Sequence, residues 1–155
     1  MNDVHPLKRK SIRPSSSTVR GMLPTAQCKV LDAAMQSLRS TGLRLDWQWR
    51  GKRLGWACVA MYDEVLCCEL LPTKEPLVGH VWLDALQKKQ IAQSTKINSA
   101  FKNIIKFPLD EKKDKFLYEF PLESTPQRDL FANFIESLMP VFELSAMPAL
   151  DETAY

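Results

Sequence analysis

Leu43, Leu45, Trp47 and Trp49 alternate with Arg44, Asp46, Gln48 and Arg50, and further strand-like runs follow at 54–62, 65–71 and 77–83, so all four tryptophans fall inside residues 43–83. Alternation with period two marks a strand with one dry and one wet face. Runs separated by two to five turn residues pair as hairpins, which makes the block a meandering antiparallel sheet. Gly51 opens the first turn and the PTKEP segment, 72–76, forms the last. The runs 54–62 and 65–71 are apolar on both faces, so they are expected at the centre of the sheet with cover on each side.

Helices are expected around this block. Pro24 suits a first helical turn, Val30, Leu31, Ala34, Met35 and Leu38 recur at helical spacing, and Gly42 supplies a stop for a helix over 24–41. A long helix fits 84–105, with Ile97, Ala100, Phe101 and Ile104 inward and Lys88, Lys89, Lys96, Lys102 and Lys106 outward. A fifth strand fits 115–122, where Phe116, Tyr118 and Phe120 alternate with Leu117, Glu119 and Pro121. Pro121 lacks a backbone donor and so ends that strand or sits at an edge. Ser124 or Thr125 can cap a last helix over 125–139, striped by Leu130, Phe131, Phe134, Ile135 and Leu138 and ended by Pro140. The expected fold is a two-layer α+β domain in the order α-β-β-β-β-α-β-α, a mainly antiparallel sheet of about five strands with helices mostly on one face.

A chain of 155 residues is large enough for one core without disulfides or metals. Its net charge of +3 is unevenly spread. Residues 1–21 combine Pro, Ser and five basic side chains with few apolar ones, the composition of a flexible basic tail. The single domain is expected at 22–142, with a partly apolar tail at 143–155. Segment 84–115 holds eight lysines against four acids, whereas 116–143 is acidic. Lys8, Arg9, Lys10 and Arg13 of the tail, with Lys88, Lys89 and Lys96 of the long helix, are the candidates for contact with nucleic acid, though short basic runs are more often solvated. Val141, Phe142, Leu144 and Met147 are too apolar for a solvated tail and are candidates for docking a protein partner. No apolar stretch approaches the ~20 residues that span a bilayer, and Cys28, Cys58, Cys67 and Cys68 show no framework spacing. The expectation is a cytoplasmic protein with free thiols and no membrane partner.

Catalytic groups are scarce. The chain has two histidines and five glycines, with no Gly-rich phosphate loop, nucleophile elbow or zinc-protease motif, so no catalytic residue, cofactor or metal is assigned. One cluster needs weighing against a plain core. A tight hairpin near Tyr62 that set Cys58 opposite Cys68, and a symmetric closure of PTKEP that set Cys68 opposite His80, would gather Trp56, Cys58, Cys68, His80 and Trp82 on one face. Two thiols and an imidazole suit zinc or copper, but buried cysteines commonly pack as small hydrophobes, and a one-residue slip would move Cys58 across the sheet. Glu69, an acid inside VLCCELL, needs a partner or a shifted pKa if buried; Arg44 and Lys52 lie within plausible reach. Trp47 and Trp49 alternate with charges, which turns them into the core and away from a role in stacking bases.

Lys10-Ser11-Ile12-Arg13-Pro14, Gly55-Trp56, the run from Cys67 to Pro72 and the fifth strand with its closing helix resemble, over residues 10–140, a family of small bacterial cytosolic proteins known as domain of unknown function 3788. The chain departs from that pattern after Pro72, with Glu75-Pro76-Leu77 in place of a Gly and an aromatic. The resemblance implies an α+β fold and supplies no activity. The function expected from the residues is non-enzymatic binding of a protein partner or small ligand in the bacterial cytoplasm, with a nucleic-acid accessory role or a thiol and histidine metal or redox site as alternatives.

Overall fold

The computed structural model describes residues 6–146 apart from 12, 16, 17, 75, 95, 96 and 113. It contains a six-stranded, wholly antiparallel open sheet: β1 (Arg44–Trp49), β2 (Trp56–Tyr62), β3 (Val65–Leu71), β4 (Val78–Asp84), β5 (Asp110–Lys112) and β6 (Lys115–Pro121), in the spatial order β1-β2-β3-β4-β6-β5. The first four strands form the expected meander. β6 then lies against β4, and β5 adds an edge strand where five strands were expected.

The helices are α1 (Thr25–Ser40), α2 (Ala85–Gln93), α3 (Ser99–Ile105) and α4 (Thr125–Ala146). α1 ends in a Schellman turn: Gly42, at φ 89°, donates to the Arg39 carbonyl and Leu43 to that of Leu38. β4 passes into α2 through a capping box in which Asp84 Oδ1 accepts from the Gln87 backbone at 2.7 Å and Gln87 Oε1 accepts from the Asp84 backbone at 2.9 Å. The expected helix over 84–105 is two helices. Asn98 caps the second by accepting from the Ala100 amide at 2.9 Å, and it starts a new axis that leaves Ala100 exposed and Ile105 buried. The Pro140 stop fails too, because α4 continues through it to Ala146. Proline deletes one rung of the helix, but the turn beyond it buries Val141 and Phe142, which offsets the loss.

All four helices contribute to one core on one side of the sheet, where Phe120 meets Phe131 and Phe134 at ring separations of 5.4 and 4.8 Å. α4 lies across β2, β3 and β6. A Cβ on Gly79 would sit 2.7 Å from the Phe131 ring, so only glycine lets α4 approach β4 this closely. Described residues of the segment taken for a flexible tail also pack. Leu7, Pro14 and Val19 are buried, Trp56 Nε1 donates to the Arg9 carbonyl at 2.9 Å, and a Cβ on Gly55 would run into the Leu7 carbonyl. Apolar residues spaced through the basic stretch thus offset the ordering entropy that its average composition argued against. Residues 1–5 and 147–155, with Met147, lie outside the described residues.

Candidate functional site

Strand register decides which side chains meet. The β2–β3 hairpin turns through Asp63, at φ 50°, and Glu64, and a bulge sets Met61 opposite Leu66 but Ala60 opposite Cys68, leaving Cys67 as the extra residue. Cys58 therefore pairs with Leu70. Across the next hairpin Glu69 pairs with His80 and Leu70 with Gly79, one residue from the expected register. The consequence is a regrouping. Trp56, Cys58 and Cys68 stay on the helix side, while His80 and Trp82 go to the opposite face and join Glu69.

The thiols are therefore core groups. Burial pushes Cys58 and Cys67 up to about 12 and Cys68 well above its ordinary range, so none supplies a thiolate near neutral pH. Trp56 meets Trp49 edge-on at 5.7 Å. Among the described residues no three His, Cys, Asp or Glu side chains come together in a way that could hold a metal ion. The proposed grouping of Cys58, Cys68 and His80 is overturned by the register, and with it the geometry of a metal or redox centre at those residues.

The opposite face carries no helix among the described residues, yet Ala57, Val59, Leu71 and Val78 on it are nearly inaccessible, screened by Leu54 and by their larger neighbours. Thr73 fastens the covering loop by donating to the Leu54 carbonyl at 2.7 Å. Across this face runs one cross-strand row, Asp46, Val59, Glu69, His80 and Glu119. Glu69 is 4% exposed and accepts from Arg50 Nε at 2.8 Å; Arg50, and not Arg44 or Lys52, is its partner. His80, 5% exposed, shares a 2.9 Å hydrogen bond between its Nε2 and Glu119 Oε1, to which Lys74 Nζ also donates at 3.4 Å. The His80 bond, reinforced by Lys74 and opposed by partial burial, holds the Glu119 carboxyl below its ordinary 4.5.

A concavity of about 750 Å³ opens on the same face, lined by Arg50, Leu54, Leu66, Glu69, Trp82, Lys112, Asp114 and Lys115. Trp82 is half-buried in its floor. Arg50, Lys74, Lys112, Lys115 and Glu119 had not been singled out as site residues from the sequence. The alternation of Arg44, Asp46, Gln48 and Arg50 did hold the signal for Arg50, since it puts that residue on the wet face; what was missing was the register that puts Glu69 there too.

The basic candidates disperse. Arg13 donates to Asp46 Oδ1 at 3.1 Å and stands 5.9 Å from the Trp56 ring centroid. Lys8 is half-buried in a short 3₁₀ turn, Arg9 and Lys10 are exposed, Lys88 caps the Phe116 ring at 4.1 Å, and Lys89 is exposed on α2. Lys96 lies outside the described residues. Of the apolar docking candidates, Val141 and Phe142 are consumed by the core and Leu144 stays 54% exposed.

Fold and site together define an α+β protein with a helix-backed antiparallel sheet and, on its other face, a tryptophan-floored groove lined by both apolar and charged side chains. No family model, curated protein or solved structure matches this chain. No helix among the described residues is long and apolar enough to cross a membrane.

Proposed function

We propose that the protein is a non-enzymatic binding or accessory protein of the bacterial cytoplasm that takes a small ligand in the groove on the helix-free face of its sheet. The carrying observation is the combination, in one groove, of a half-buried Trp82 and the apolar Leu54 and Leu66 with an ionisable pair already fixed in its wall, Arg50 to Glu69; His80 and Lys74 pair with Glu119 beside it on the same face. Pairs of this kind orient a ligand. A histidine and carboxylate dyad would serve a nucleophile in catalysis, but the buried cysteines stand on the opposite face of the sheet. A small ligand is favoured over a protein partner because the core takes up Val141 and Phe142. The nucleic-acid alternative loses support from the ties of Arg13 to Asp46 and of Lys88 to Phe116. The resemblance to domain of unknown function 3788 belongs to the same proposal and adds no activity to it.

The test is a screen of chemically diverse fragments by nuclear magnetic resonance, reading the indole N–H signal of Trp82 assigned by its loss in Trp82→Phe. Binders in the groove move that signal and those of Leu54 and Leu66. A screen in which no fragment moves any of them removes the reading.

A further inference from the structure

The charges around Trp82 are unequally satisfied. Glu69 is spent on Arg50, and the bond uses Nε alone. Among the described residues the two terminal nitrogens of Arg50 take part in no other hydrogen bond, so the guanidinium is fixed from beneath with donors left over. A buried carboxylate that locks an arginine in one orientation makes it a preorganised fork, because the entropy of holding the long side chain is already spent in folding.

The far wall differs. Lys112 and Lys115 face each other across the β5–β6 hairpin, both exposed and neither in an ion pair among the described residues. Like charges directly opposite each other in a sheet are unfavourable, and Asp114 offers one carboxylate against the two. The groove therefore carries a positive excess at this end, a flat aromatic floor in the middle and free hydrogen-bond donors at the Arg50 end. Glu69 and Lys115 are two strands and four residues apart, roughly 16 Å between Cα positions at ~4.8 Å per strand and ~3.4 Å per residue. Long side chains reach in from both ends, leaving a space the length of a one- or two-ring molecule.

We propose that this groove takes a small organic anion with a planar apolar body, its negative group between Lys112 and Lys115, its body on Trp82 and a hydrogen-bond acceptor toward Arg50. The proposal rests on the binding reading above and names the ligand class. An anion relieves the lysine repulsion, and the Trp82 face rewards a flat body that a hydrated inorganic ion lacks.

The test titrates the full chain with naphthoate, its uncharged counterpart naphthamide and the cation naphthylmethylamine, following the Trp82 indole signal. Naphthoate is expected to bind about tenfold more tightly than naphthamide, as one charge-assisted hydrogen bond allows, and the amine most weakly. Lys115→Gln and Lys112→Gln, both at exposed positions, should each bring naphthoate several-fold toward naphthamide, so that the ratio of the two affinities falls whatever the variants do to naphthamide itself. If naphthamide or the amine matches naphthoate at Trp82, or if the lysine variants leave the preference intact, the anion assignment is overturned while the binding reading stands. If uncharged fragments move Trp82 and naphthoate does not, the outcome is the same. If no fragment of any charge moves it, both fall together.

Discussion

The two faces of this sheet are built from the same strands and stabilised in opposite ways. On the helix face Leu70, Gly79 and Phe120 form a row that α4 covers with Phe131 and Phe134, and nothing in it depends on a specific partner beyond shape. One residue along each strand, Glu69, His80 and Glu119 form a row in which burial is tolerable only because each polar group has a named partner. The first face fails by losing volume, the second by losing a partner. Apolar packing gives the fold most of its stability, and the paired face gives it a surface with fixed orientation.

Perturbations should separate the two faces by size and kind. The largest effect belongs to Phe134→Ala, which empties a fully buried position on α4 and should cost about 3–5 kcal/mol in urea unfolding. Gly79→Ala adds one methyl under the Phe131 ring and should cost about 1–3 kcal/mol, with backbone shifts in β4 visible in amide spectra. Arg50→Ala strips the partner from Glu69 and should cost about 2 kcal/mol, a loss that Arg50→Ala with Glu69→Leu recovers in large part. If Arg50→Ala alone proves neutral, the contrast between the faces is wrong.

Smaller effects sharpen the same contrast. Because Glu119 is held below its ordinary 4.5, the folded protein binds fewer protons there than the unfolded chain. Its stabilisation is therefore complete above the ordinary glutamate range and lost as pH falls below it through the folded value. The Tm of the parent protein should drop over that acid window more steeply than that of Glu119→Gln; equal slopes would detach the pair from stability. Smallest of all is thiol reactivity. Cys28 is half-buried on α1, whereas Cys58, Cys67 and Cys68 are shut in the core, so a thiol reagent at pH 8 should modify only Cys28 rapidly, and Cys28→Ser should abolish the fast phase without changing stability.

Element types were legible in the sequence because period-two and period-3.6 patterns are local. The alternation from Leu43 to Arg50 identified the first strand, and the stripe through Leu31, Ala34, Met35 and Leu38 identified α1. What stayed hidden depended on counting across turns. The bulge at Cys67 helps move the partner of Cys58 two residues along, from Cys68 to Leu70, which keeps both thiols on one face, whereas the loop 72–77 shifts pairing by one residue and so moves His80 from the cysteines to the opposite face. Helix ends failed where tertiary contacts overrode a local stop, as at Pro140, whose cost is offset by Phe142 in a core that no window of sequence displays. Glu69 was recognisable as an anomaly; its partner Arg50, 19 residues away, was not.

The position of α4 in the chain has a consequence during synthesis. β1 to β4 are complete by Asp84, but the phenylalanines that cover them arrive only with Thr125–Ala146. That is about 60 residues later for the final turn, several seconds at ~5–20 residues per second. Throughout that interval one side of the nascent meander has its Arg50–Glu69 pair while His80 still awaits Glu119, and the other side has at most α1, α2 and α3 over an apolar surface that α4 has yet to cover. A ribosome-bound chaperone that samples emerging strands would thus meet a one-sided client, and slowing translation between codons 84 and 125 should lengthen that encounter more than slowing it anywhere earlier.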